Sequence, residues 1–219
     1  MAYRYFHKNV RPFSAVCHNN FGRQIIYTRK RIITANNIVD ELNKALVIHR
    51  LNAIEIEYLD RYYRGDQPIL YRQKVNRPEV NNKIPVNLAY ELVERKTADI
   101  CAEPIQYVLR GTDDKKSEEI TNLNVTMDSE SKQEVDIDIC RWRSICGTAY
   151  RFIGNDEGKG ELLDESDFYL SSENPMYTFV VYYPNNRPAF SCQIGEDENG
   201  GETYFCFTDN EWFDIRNGK

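Results

Sequence analysis

Histidine is scarce in this 219-residue chain, with only His7, His18 and His49, and the six cysteines include no Cys-x-x-Cys pair. Zinc sites need closely spaced nitrogen and sulfur ligands on turns, so this scarcity argues against a metal centre. Cys17, Cys101, Cys140, Cys146, Cys192 and Cys206 are expected instead as free, buried thiols. No apolar run approaches the roughly 20 residues that span a bilayer, and the opening MAYRYFHKNV lacks the apolar segment of a signal peptide. A cytosolic chain with no membrane partner is the expectation. The acidic run Glu196-Asp197-Glu198 lacks the regular ligand spacing of an EF-hand and reads as a solvated hairpin tip. The Asn124-Val125-Thr126 sequon reads as a chance match, since nothing points to secretion.

What is present describes a soluble protein able to build a core. Hydrophobic residues make up 41% of the chain and charged residues 28%, with a mean hydropathy of -0.64. The net charge of -6 conceals an asymmetry between the two halves. Residues 1–110 carry 18 Lys and Arg against 11 Asp and Glu, whereas residues 111–219 carry 10 against 23. A chain polarised in this way can steer contacts between copies of itself or bring its basic half to an anionic partner. Ordinary solvated surface also accounts for it.

Residues 1–35 are basic and irregular, with Arg4, Lys8, Arg11, Arg23, Arg29, Lys30 and Arg31 interleaved with six aromatics. This mixture suits single-stranded nucleic acid, through phosphate contact and base stacking. It suits equally an extended arm that packs its aromatics on a neighbouring subunit. The absence of sustained strand alternation and of any nucleic-acid module favours the arm.

Residues 36–60 read as a long helix. Asn37 stands at the cap, Asp40 and Glu41 occupy the first turn, and Ile38, Leu42, Leu46, Ala53, Ile56 and Leu59 form one face. His49 lies within it as a packed or surface residue rather than a ligand. The stretch 61–107 follows, and it contains no nucleophile, metal cluster or phosphate loop. Neither a catalytic residue nor a cofactor is therefore expected.

Tyr62 and Tyr63 run into Gly65, where a chain reversal costs little. A loop with three prolines follows, carrying Arg64, Arg72, Lys74, Arg77 and Lys83 and ordered by contacts rather than regular structure. Asn81, Asn82 and Asn87 can bond the loop backbone, and Asn87 can cap a helix over 87–102 with Ala89, Leu92, Val93, Lys96 and Ile100 on one face. Pro104 stops that helix, and residues 105–109 read as a short strand.

Residues 110–117 form a turn and residues 117–146 are mainly helical, with Val135, Ile139, Trp142 and Cys146 on one face. Gly147 is placed to end the helix in a left-handed conformation. From there the period changes to that of strands, over 148–153, 178–183, 189–194, 203–208 and 211–215, with turns at 155–158, Gly200-Gly201 and Asp209-Asn210. The fold class expected is α+β, a helical N-terminal half followed by antiparallel β-hairpins.

The order of these devices resembles the N-terminal half of the tailed-phage portal proteins of the SPP1 type. The resemblance runs through the long helix, Tyr62-Tyr63-x-Gly65, Asn81-Asn82-Lys83-Ile84-x-Val86-Asn87, and the helix leading to Pro104-Ile105-x-Tyr107. It continues through Ile145-Cys146-Gly147-Thr148-Ala149-Tyr150, Asn174-Pro175, Val181-Tyr182-Tyr183 and Arg187-Pro188, covering roughly residues 37–216.

The resemblance implies a structural subunit of a ring, usually dodecameric, at one capsid vertex of the virion. Such a ring receives the packaging terminase, passes double-stranded DNA, and joins the head to the tail through adaptors; the major capsid protein surrounds it. It implies a wing made of a helical part over 36–147 and a β part over 148–219, behind the arm. The stem, clip, tunnel loop and crown of the family would then lie beyond Lys219. In this frame Tyr62, Tyr63, Gly65, Asn81, Asn82, Lys83, Asn87 and Gly147 are structural, and Arg64, Arg72, Lys74 and Arg77 are the candidates for contact with a subunit or nucleic acid. Two other classes compete with it. A nucleic-acid-binding module would use the N-terminal arm, and a metal-dependent nuclease would use Asp136, Asp138, Asp156 and Asp167. Asp136 and Asp138 are two apart on a helix and point in different directions, which weakens the latter.

Overall fold

The computed structural model describes residues 23–73, 75–77, 79, 82–111, 114–155 and 168–216. The inner part of the stretch read as an arm, from Arg23 onward, folds onto its own chain. Strand β1 (Ile26–Tyr27) lies parallel to β4 (Thr178–Tyr182), with Ile26 opposite Val181. Ile26 and Ile33 are buried, and the Thr28 hydroxyl donates to the buried Glu41 carboxylate at 2.6 Å.

Helix α1 (Ile38–Tyr63) is the spine of the molecule. Its inner face, Ile38, Leu42, Ala45 and Leu46, packs against one face of the sheet. Ala53 and Leu59, assigned to that face from sequence, are only half-buried, whereas Ile56 is buried. Asn37 stands at the N-cap position, where its C=O accepts from Glu41 N–H at 3.1 Å but its side chain makes no capping bond to the helix. Its amide closes the preceding turn instead, accepting from Thr34 N–H at 3.0 Å and donating to Ile32 C=O at 3.0 Å. The Asn side chain competes for local backbone, and here the turn wins.

The sheet has the order β1-β4-β5-β6-β7, with β5 (Pro188–Glu196), β6 (Glu202–Phe207) and β7 (Trp212–Arg216) antiparallel in sequence. Period-two alternation puts Phe179, Val181, Phe190, Cys192, Cys206 and Ile215 on the face that α1 covers. A separate hairpin, β2 (Tyr150–Asn155) with β3 (Phe168–Glu173), leans on the sheet's other face, where Phe152 lies 5.3 Å from Phe207. β3 was not legible in the sequence; of the turn read at 155–158, Asn155 belongs to β2 and residues 156–158 fall outside the described residues, as does Asp167. The α+β class holds: among the described residues four α-helices precede the antiparallel strands.

Helices α2 (Leu88–Cys101), α3 (Asp114–Ser129) and α4 (Lys132–Cys146) form the second layer. The stretch read as mainly helical over 117–146 is two helices, parted at Ser131, which takes a left-handed φ of +53°. α2 corrects its predicted face. Thr97 and Cys101 are the buried residues, while Leu92 is 67% exposed, Ile100 is 55% exposed, and Lys96 is also exposed. Helical spacing names a stripe but not what covers it, and α4 takes the other side. Residues 105–109 form no strand. No backbone–backbone bond joins them to other described residues, because no neighbouring strand lies beside them.

His49 illustrates how α1 meets the sheet. The ring is buried, stacks 4.4 Å from Phe179, and donates from Nε2 to Met176 C=O at 3.0 Å. Burial pulls its pKa below the ordinary histidine range, opposed in part by the Met176 bond and reinforced by Arg50. The neutral ring is therefore the folded form, and its stability contribution is complete above the unfolded pKa near 6.5 and declines as pH falls below it. Urea unfolding at pH 7.5 and pH 5.5 should show a loss on acidification that His49→Gln reduces; an unchanged slope would refute this placement.

Candidate functional site

Among its described residues the stretch 61–107 folds into a frame in which several polar groups bond one another. At its start, α1 ends in a glycine-capped turn: Gly65 N–H bonds Tyr62 C=O at 3.1 Å and Asp66 N–H bonds Arg61 C=O at 2.9 Å. Gly65 takes φ +86°, and a Cβ there would meet Asn87 Nδ2 at 3.2 Å. Asn87 joins two helices. Its Nδ2 donates to Tyr63 C=O at 2.8 Å and its Oδ1 accepts from Tyr90 N–H at 3.2 Å, capping α2.

The loop between them is tied at three further points. Arg61 Nε donates to Asp66 at 2.6 Å, and Tyr71 O–H donates to the same carboxylate at 2.6 Å. Gln67 Nε2 donates to Val86 C=O at 3.1 Å, and Lys83 Nζ donates to Leu70 C=O at 2.7 Å. A short 3-10 turn, Pro68–Tyr71, is its only regular piece among the described residues. Lys83 is thus a loop brace rather than a free cation. Arg64 pairs with Asp60 at 3.0 Å, and burial raises the Asp60 pKa despite Arg64.

Tyr62 is exposed with its ring 6.2 Å from Tyr58, whereas Tyr63 turns inward and stacks 5.4 Å from Tyr90. Its hydroxyl donates to Glu94 at 2.5 Å, and Arg141 Nε donates to the same carboxylate at 2.9 Å. One carboxylate on α2 therefore ties α1 to α4. The hydrogen bond from Arg141, then that from Tyr63, hold the Glu94 pKa below the usual range, and burial followed by the Glu94 bond pushes the Tyr63 phenol up. Sequence reading missed Arg61, Gln67, Glu94 and Arg141, because their partners lie on other elements and no spacing marks them.

Arg72, Arg77 and Asn82 are exposed on the loop, with Arg77 at φ +57°. Lys74 and Asn81 lie outside the described residues. Gly147 ends α4 at φ +71°, and a Cβ on it would meet the Arg23 guanidinium at 2.9 Å. Of the candidate nuclease carboxylates, Asp156 and Asp167 lie outside the described residues, and Asp136 and Asp138 are held apart by different partners. Asp136 is buried between Lys132 and Arg151, whereas Asp138 is exposed and pairs with Arg141 at 2.5 Å. Among the described residues no group of three His, Cys, Asp or Glu side chains could hold a metal ion, and no helix is long and apolar enough to cross a membrane.

Asn87→Ala is expected to cost about 1–2 kcal/mol through the lost cap and the lost bond to Tyr63 C=O. Gly65→Ala should cost about the same, through its positive φ and the displaced Asn87 amide. Because both act on one amide, thermal or urea unfolding of the double variant should show less than the sum. Full additivity would show that the glycine and the amide act separately.

Among the described residues, the frame's bonded side chains tie α1, the loop, α2 and α4 to one another. A family model described as phage portal protein, SPP1 Gp6-like, matches residues 42–219. No curated protein matches the chain.

Proposed function

We infer the function of this chain from the family it belongs to, the SPP1 Gp6-like phage portal proteins, whose model covers residues 42–219. Its role is structural, in the portal of a phage capsid. The family is one of structural proteins rather than enzymes, it assembles as a ring with capsid proteins, and its place is the capsid vertex of the virion.

In finer terms, the chain is a subunit of the ring, a dodecamer on the family pattern. Double-stranded DNA enters and leaves through that ring, and the terminase and then the head–tail adaptors dock on it. Residues 36–147 and 148–219 serve as the helical and β parts of the wing. The frame supports this reading, because a ring subunit needs rigid geometry and no reactive group. Heterologous contacts around such a ring also suit a chain with a basic and an acidic half.

The competing classes fare less well on particular residues. Asp136 has its two carboxylate oxygens ion-paired to Lys132 and Arg151, so its charge is already balanced by two cations. Residues 26–28 are taken up in the chain's own sheet and in the bond to Glu41, which reduces the surface a nucleic-acid-binding arm would use.

Immunogold labelling of virions with antibodies to this chain tests the proposal. Label confined to one vertex, together with heads that fail to package or to acquire tails when the gene is disrupted, is the expected result. Label spread over the whole capsid, or absent from virions, would overturn it.

A further inference from the structure

The five described cysteines are free thiols, and they fall into two facing pairs and one single group. Cys192 and Cys206 stand opposite one another on β5 and β6, fully buried in the core beneath α1. Cys146 is buried at the end of α4, its sulfur 3.2 Å from Trp142 C=O and 3.3 Å from Thr148 C=O. The other pair is placed differently. Cys101, the last residue of α2, is buried, whereas Cys140, in the second half of α4, is only half-buried, and their sulfurs lie 2.7 Å apart.

The contact is set by the way α2 lies on α4. Cys101 Sγ is also 3.7 Å from Asp136 C=O, one helical turn before Cys140, so it sits along a single stripe of α4. Beside it, Arg141 holds Glu94, which stands about two turns before Cys101 on α2. The helices are therefore already fixed where the thiols meet. The separation also says what the pair suits. A zinc ion, at about 2.3 Å from each of two thiolates, keeps their sulfurs well over 3 Å apart. A disulfide needs about 2.05 Å, which the 2.7 Å separation approaches to within about 0.7 Å.

We propose that Cys101 and Cys140 form a reversible disulfide that clamps the end of α2 to α4 once the chain leaves a reducing compartment. Its occasion rests on the virion reading above: a cell's thiol pool keeps such a pair reduced, and a released particle leaves that pool behind. Burial, then the contact with Cys140, pushes the Cys101 thiol up to about 11, so the half-buried Cys140 meets the oxidant first. With hydrogen peroxide as that oxidant, the Cys140 thiolate attacks one oxygen, the O–O bond breaks and hydroxide leaves, giving a sulfenic acid. The Cys101 sulfur then attacks the Cys140 sulfur, the S–O bond breaks, and the oxygen departs with the Cys101 proton as water. Two thiols have lost two electrons, and one peroxide has become two waters. The bond joins positions 39 apart and pins α2 where the chain runs on into exposed residues 102–108. Cys192 and Cys206 stay reduced, because the folded core keeps the oxidant from them.

The test treats the intact, reduced chain with hydrogen peroxide, caps the remaining thiols with N-ethylmaleimide in denaturant, and maps the peptides by mass spectrometry. A link between positions 101 and 140 that dithiothreitol reverses is expected, with Cys146, Cys192 and Cys206 all capped. Capped Cys101 beside an overoxidised Cys140, or a link from either to another cysteine, would overturn the pairing. The linked chain should unfold about 5–10 °C above the reduced one, and Cys140→Ser should show no such rise with peroxide. A linked chain that melts with the reduced one would show that the bond clamps nothing. Particles opened directly into N-ethylmaleimide should carry the link, and chain taken from the producing cells should not. Free thiols in both would overturn its formation on release. Antibody label absent from virions would sink the portal reading and leave the peroxide result standing.

Discussion

Asp136→Ala is expected to destabilise the fold by about 3–5 kcal/mol, because it leaves a buried ammonium without its counter-charge. Asp136 and Lys132 are both buried one turn apart on α4, with Nζ 2.5 Å from the carboxylate, and Arg151 on β2 bonds the second oxygen. Lys132 would keep only Ile105 C=O at 3.3 Å and the Tyr107 ring, whose centroid is 5.6 Å away. Water cannot readily replace the lost carboxylate, so the cost of the isolated charge is borne by the fold. The damage should also reach the extended segment 104–109, since the same ammonium braces it. Replacing the pair together, Lys132→Met with Asp136→Leu, should recover most of the loss, as well-packed apolar groups often match a buried ion pair. Urea unfolding followed by far-UV circular dichroism decides between them, and a loss under about 1 kcal/mol for Asp136→Ala would mean that solvent reaches the site.

Phe190→Ala should cost a similar amount, about 3–5 kcal/mol, by a different mechanism. Phe190 is fully buried on β5 opposite Val181 of β4, in the cluster where the sheet meets Leu42 and Leu46 of α1. Removing the ring loses its transfer free energy and leaves a cavity that a helix and a sheet packed on both sides cannot collapse. The exposed Trp212 on the same sheet supplies the contrast: Trp212→Ala should change monomer stability by no more than about 0.5 kcal/mol. Equal losses at the two positions would contradict the face assignment of the sheet.

Acid stability separates two titrating groups by their windows. The buried neutral His49 loses its contribution as pH falls below its unfolded value near 6.5, whereas the depressed Glu94 loses its own only near and below the ordinary glutamate value of about 4.3. His49→Gln should flatten the first decline without removing the second.

Much of the architecture was written locally. Alternation in residues 178–215 marks strands whatever they pair with, and the positive φ taken at Gly65 and Gly147 follows from side-chain-free positions at helix ends. The order of these devices also carried the resemblance to portal proteins, which the family match over residues 42–219 bears out. Asn37 and Asn87 show the limit, since both precede helices and both are asparagine. Asn87 caps its helix, but Asn37 bonds the turn behind it, and only the path of the preceding chain distinguishes them.

What the sequence determined by itself was the run of helices and strands, because hydrophobic period, turn residues and caps act between near neighbours. What the tertiary structure decided was which faces are covered. It drew residues 26–27 into the sheet, turned Leu92 and Ile100 outward and left residues 105–109 without a strand beside them. It also gathered Tyr63, Glu94 and Arg141 from three helices around one carboxylate. The physical reason is that burial and pairing depend on partners distant in the chain, so that periodicity can specify an apolar stripe while only packing settles what lies against it.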